Sequence, residues 1–272
     1  MQKHSLEAKE FNERLEAFME ALGLAEEPVG ISYTDKKSAA GFSPKAQTPL
    51  SRLPEASDGE VNWNSCVLGN MRKARRKKIA AYFDQEHYGC LGGAFFMGFK
   101  PHYEAFEPSL LSTGIPGKME GERYVDSPET GRAFYDAFAP PRATAPLLAI
   151  QPLSLFKEGE FPEIVVLFPG REALVGLNAL TVFLTGDPEA VRIPFGVGCC
   201  GMISWPRKYL HQGKKRAVIG GFDINCLKFL KKSELTYSIS FGLFLEMLAR
   251  WPDSVLGTKA WKRQKSRGDT IG

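Results

Sequence analysis

Glu163-Ile-Val-Val-Leu-Phe168 sets five apolar residues in a row, three of them β-branched, between Pro162 and the Pro169-Gly170 pair. A short run bounded by such breakers reads as a strand, and its lack of polar alternation places it in a sheet with both faces buried. Downstream, residues 171–185 carry helical periodicity and stop at Gly186, residues 191–203 read as extended chain around a glycine cluster, and residues 217–221 read as a further strand. Ser233 reads as the cap of one long apolar helix that runs to Arg250, ahead of Pro252.

Upstream, residues 148–153 form a strand, Ser127-Pro128 opens a helix that reaches Phe138, and the apolar run 94–99 fits a buried helical turn or a strand. A helix is expected over residues 67–83, after a strand candidate at 61–66, a long polar loop at 34–60 and a strand at 28–33. The first helix takes Ser5 as its cap, puts Phe11, Leu15, Phe18, Met19 and Leu22 on one face, and ends at Gly23. Strands and helices interleave without strict alternation. The chain is therefore expected to be an α+β protein, a mixed β-sheet with packed helices, in a single large domain over residues 1–258 with scope for two lobes. Residues 259–272 read as a basic flexible tail.

With 272 residues, 43% of them hydrophobic and 24% charged, global disorder is excluded. No stretch reaches the roughly 18 apolar residues of a membrane span. The first ten residues lack the apolar core of a secretion signal, so a cytoplasmic protein without membrane contact is expected. The formal charge of +4 belongs to residues 259–272, which hold five Lys or Arg against one Asp, and the remaining body is neutral. Arg72, Lys73, Arg75, Arg76, Lys77 and Lys78 form a dense basic run able to meet phosphates, yet no nucleic-acid module accompanies it. Nucleic acid is not expected as a partner; a small molecule or a redox partner is.

The chemistry rests on five cysteines, Cys66, Cys90, Cys199, Cys200 and Cys226. Their number and sparseness do not suit a disulfide scaffold, so they matter as thiols or thiolates. Cys90 stands among Gly89, Gly92 and Gly93, and the Cys199-Cys200 pair between Gly198 and Gly201. Glycine beside a thiolate lets backbone amides point at sulfur and lets a bound group approach, which makes these five glycines the candidate cofactor-binding positions. The intervals lack the closely spaced cysteine pairs of structural zinc or ferredoxin-type sites, so a metal centre would have to use dispersed ligands. On an extended segment Cys199 and Cys200 point to opposite sides, and one of them faces any given site.

His87, three residues before Cys90, could join it as a ligand or activate it as a nucleophile. Gly196-x-Gly198-x-x-Gly201, with Asp223 downstream, matches a dinucleotide fingerprint literally, but Trp205-Pro206 reads as a break where a phosphate-binding helix should start.

The order of features resembles the uncharacterised prokaryotic family known as domain of unknown function 169. It runs from a leading helix ending at Leu22-Gly-Leu24, through Pro28-Val29, Cys66 and Ala74-Arg75, to Cys90-Leu-Gly-Gly93. It continues with Ser127-Pro-Glu, Arg132, Tyr135, Pro152-Leu153, the 162–168 strand, Gly186, Cys199 and Glu234-Leu235, and covers residues 5–257. The resemblance implies that Cys66, Cys90 and one of Cys199 and Cys200 form a matched set. Three functions follow as expectations. The first is a metal centre, foremost an iron–sulfur cluster, on Cys66, Cys90, Cys199 or Cys200, and Cys226. The second is a metal-free small-molecule-binding protein or enzyme with a reactive Cys90. The third is an interaction protein that uses the basic helix and tail.

Overall fold

The computed structural model describes residues 8–46, 66–89, 92–117, 119–157, 159–196 and 198–268. The first half contains α1 (Ala8–Leu22), β1 (Val29–Thr34), α2 (Val67–Lys77), β2 (Ala81–Phe83), α3 (Gly93–Phe96), α4 (Glu107–Leu111), β3 (Gly114–Ile115) and β4 (Met119–Glu120). The second contains α5 (Pro128–Phe138), β5 (Leu147–Pro152), β6 (Ile164–Leu167), α6 (Arg171–Thr185), β7 (Val191–Arg192), α7 (Trp205–His211), β8 (Ala217–Gly220), β9 (Thr236–Ser240), α8 (Phe241–Arg250) and α9 (Lys259–Gly268).

Seven strands form one sheet in the order β2-β5-β1-β6-β9-β8-β7. Every neighbouring pair is antiparallel except β7 with β8, so the sheet is mixed, as an α+β reading requires. The 163–168 run supplies the central strand. Ile164 and Val166 face one core while Val165 and Leu167 face the other, and all four are buried. Helices cover both faces, which is why an antiparallel strand carries no polar alternation here. The first core packs α2, α3 and α5 on the sheet; the second packs α1, α6 and α8.

Four expectations are corrected. The helix expected over 67–83 stops at Lys77, where Lys78 takes a left-handed conformation (φ 50°) and sends the chain into edge strand β2. The helix expected from Ser233 is a strand over its first part. β9 alternates buried Thr236 and Ser238 with Tyr237 and Ile239, and Ser240, not Ser233, caps α8 by accepting the Leu243 amide at 3.3 Å. Residues 198–204 are helical instead of extended and run directly into α7, so Pro206 lies inside one continuous helix, just after the π-turn at Cys200–Ser204. Residues 259–268 form α9 in place of a flexible tail, because Trp261 packs at the second core and donates its indole N–H to Ala21 O at 3.0 Å. The Ser5 cap, the 61–65 strand candidate and residues 47–60 of the polar loop lie outside the described residues.

Candidate functional site

Cys66 is the N-cap of α2. The Leu68 and Gly69 amides, unpaired within the helix as first-turn amides are, lie toward its sulfur and favour the thiolate. The 3₁₀ segment Ile224–Phe229 packs against this helix start, and a Cβ at Gly69 would lie 2.8 Å from the Phe229 ring, so only glycine permits the approach. That contact delivers Cys226 to Cys66. Cys226 donates its thiol proton, and this bond, partly opposed by burial and aided by the two amides, pulls the Cys66 pKa down to about 7. The same bond and burial push the fully buried Cys226 well above the ordinary thiol range. Cys66 carries the charge of the pair and Cys226 the proton.

A second helix N-terminus faces the same place. Residues 198–211 are continuously helical, with a π-helical turn at Cys200–Ser204. The Gly198 N–H points at Asp223 Oδ2 (3.4 Å), and a Cβ on Gly198 would fall 2.6 Å from Cys226 Sγ. Gly201 presses on the sheet, where its Cβ would stand 3.1 Å from Gly220 Cα. Arg207, 1% exposed, anchors the helix: it donates to Glu163 Oε2 (2.8 Å), the Tyr33 hydroxyl (3.1 Å), Pro141 O (3.1 Å) and Arg142 O (3.1 Å). Ser204 adds a hydrogen bond to Phe96 O.

Between these elements lies a cavity of about 310 Å³ whose wall includes Cys66, Cys199, Gly92 and Gly198. Its acids are Glu107, Glu122 and Asp223. Asp223 is satisfied by the Tyr124 hydroxyl (2.8 Å), the Asn225 amide (2.8 Å) and Gly198. Glu107 is 3% exposed, and burial pushes its carboxyl up to about 7. Glu122 accepts from Asn225 Nδ2 at 2.8 Å. Crowding of its carboxyl against the wall, and then the charge of Asp223, also raise it to about 7. Its residue as a whole is exposed, so solvent tempers that shift more than at Glu107. Tyr135 stacks between Phe96 (5.5 Å, 23°) and Tyr103 (4.6 Å, 29°) and closes the aromatic side.

Of the residues singled out in the sequence, Cys66, Cys199, Gly92 and Gly198 line the cavity, and Cys226 stands behind Cys66. Cys200 is buried in the π-turn and does not line the cavity, so Cys199 is the member of the pair that faces it. Gly93 packs on Tyr88 O, Gly89 turns the chain (φ 86°), and Gly201 meets the sheet; none of the three lines the cavity. Cys90 lies outside the described residues. His87 belongs to a turn, where its Nδ1 pairs with Asp84 Oδ1 at 2.9 Å. The basic run is partly occupied: Arg75 pairs with Glu26 and lies 3.7 Å from the Phe168 centroid, and Lys73 covers Phe42. In the sequence Asp223 reads only as the acid of a dinucleotide-type pattern, and Glu107 and Glu122 do not read as site acids; the three come together through loops and short helices that leave no periodic signal.

Among the described residues no group of three or more His, Cys, Asp or Glu side chains is arranged to hold a metal ion, and no helix is long and apolar enough to cross a membrane. The fold and cavity define an α+β protein with a cavity lined by thiols and carboxyls. A family model described as DUF169, uncharacterised ArCR, matches residues 17–250, and the chain belongs to this family. Neither a curated protein nor a solved structure matches it.

Proposed function

We propose that the cavity binds a small molecule and that Cys66, as a thiolate, is the group that meets its reactive atom. The observation that carries this reading is the Cys66–Cys226 pair at the start of α2, opening on the cavity. Hydrogen-bond donation and the helix N-terminus make the thiolate available near neutral pH, while Glu107 and Glu122, with pKa values raised to about 7, are able to give or take a proton there. This reading takes Cys66 as the reactive thiol; Cys90, the candidate offered by the sequence, lies outside the described residues. A reducing, cytoplasmic setting suits such a thiol. Alkylation with iodoacetamide, read by mass spectrometry across pH 5–9, tests it. Cys66 should label first, and equal slow labelling of all five cysteines removes the reading.

A metal centre is the second reading, because Cys66, Cys199 and Cys226 come from three separate segments to one place. Thiolates are soft donors that suit iron–sulfur or thiophilic ions, and an iron–sulfur cluster would supply electron-transfer or Lewis-acid chemistry when bound. Cys66 and Cys226 would hold two of its positions, and since no three described side chains are arranged to hold a metal ion, this reading calls on Cys90 as a further ligand. Anaerobic purification followed by visible absorbance and iron and sulfide analysis decides it, repeated for Cys66→Ser, Cys90→Ser, Cys199→Ser and Cys226→Ser. Colourless, metal-free protein removes this reading and leaves the first intact.

A further inference from the structure

Four buried side-chain polar atoms have no hydrogen-bond partner among the described residues: Glu107 Oε2, Trp205 Nε1, Thr236 Oγ1 and Ser238 Oγ. Of these residues Glu107 alone lines the cavity. Its other oxygen accepts the Glu104 amide at 3.3 Å and the Tyr135 hydroxyl bears on the carboxyl, while no donor among the described residues reaches Oε2 within hydrogen-bond distance. A carboxyl oxygen buried without a partner is costly, and a fold keeps one where a ligand completes it. Asp223, on the same wall, already has three donors. Glu122 receives only Asn225 and holds a second carboxyl at the cavity. Among the described residues the one lysine or arginine on the wall is Lys228, an exposed residue whose Nζ stands 5.2 Å from the Phe229 centroid. Two carboxyls therefore remain to be answered, beside the face-stacked rings of Phe96 and Tyr135.

From the unpartnered Glu107 oxygen in this apolar, aromatic cavity we infer that the natural occupant is a small amine, whose protonated nitrogen donates to Glu107 and whose hydrocarbon body fills the cavity. Ammonium N–H donors satisfy an acceptor-only carboxylate, and a second carboxyl adds attraction. Val67, Leu110, Leu111 and Met119 supply the apolar contact for the body. The cavity volume of about 310 Å³ suits a single ring or a branched chain of a few carbons. This deepens the small-molecule reading above by naming the ligand class, and it uses the same cavity.

The test takes the full chain and three probes of one shape: benzylamine, benzyl alcohol and benzoate. Calorimetry at pH 7.5 should show benzylamine binding at least tenfold tighter than the other two, and Glu107→Gln should weaken it at least tenfold. Leu110→Trp, which fills the cavity and leaves Glu107 in place, should abolish it as well, so the site stays testable if one variant fails to fold. Benzylamine should also slow the alkylation of Cys66. Equal binding of the alcohol or benzoate, absence of amine binding, or amine binding that survives Leu110→Trp overturns the inference. Fast Cys66 labelling that the amine does not slow overturns it too and leaves the thiolate reading standing. Slow Cys66 labelling with Glu107-dependent amine binding does the reverse.

Discussion

The sulfur of Cys66 gains its reactivity from two neighbours of different kinds. Cys226 gives a proton, and α2 gives two amides. Removing the first should separate their shares. In Cys226→Ala the midpoint of Cys66 alkylation, read by iodoacetamide rate against pH, should rise from about 7 toward the ordinary thiol range. A midpoint that does not move would assign the effect to the helix alone. Glu107 works in the opposite direction. Its folded pKa is raised, so the stability it confers is fully present below the unfolded value of 4.5 and is lost as pH climbs through about 7. The span corresponds to a loss on the order of 3 kcal/mol. Urea unfolding of Glu107→Gln should show a flatter stability profile between pH 4.5 and 7 than the unaltered chain.

Elements differ in how openly their sequences announce them. The central strand, α5 with its Ser127 cap (Thr130 amide to Oγ, 3.2 Å) and α6 ending at Gly186 are written in hydrophobic period and capping chemistry. β9 is not, because Thr236 and Ser238 put small polar side chains on a face that Gly201 and the π-turn approach closely, and the alternation then merges into α8. The 198–204 stretch misleads for a related reason. Its glycines suggest extended chain or a phosphate loop, yet they serve close helix packing against the sheet and Cys226. Cysteine beside glycine draws attention to Cys199, which lines the cavity, but Glu107 and Glu122 are not legible, since they carry no motif. Arg207 is the tertiary contact that overrides local preference here. Arg207→Ala should cost about 3–5 kcal/mol by chemical denaturation, the range for leaving one member of a buried ion pair uncompensated. A cost under about 1 kcal/mol would show that the four contacts are not holding α7.

For the molecule as a whole, the positive charge sits on a structured element. Trp261 ties α9 to α1 through Ala21, and a Cβ at Gly176 in α6 would lie 2.8 Å from the indole, so the last helix closes the second core. Trp261→Ala should lower stability by about 2–3 kcal/mol, a discounted value for a partly buried tryptophan. Ending the chain at Thr258 should cost at least as much, read as a fall in Tm. If truncation leaves Tm unchanged, α9 is an accessory to the fold. Either result can be compared with Cys66 alkylation, because α9 and the cavity lie on opposite sides of the sheet.

The π-turn at Cys200–Ser204 amounts to one residue more than an α-helix needs over the same rise. A π-wound turn rises and rotates almost as far as a regular α-turn with one residue fewer, so deleting one residue there would let the helix rewind regularly and leave both Cys199 and the Arg207-clamped α7 close to their present bearings. The turn therefore works as slack held inside the helix: it takes up one residue of chain without changing what either end presents.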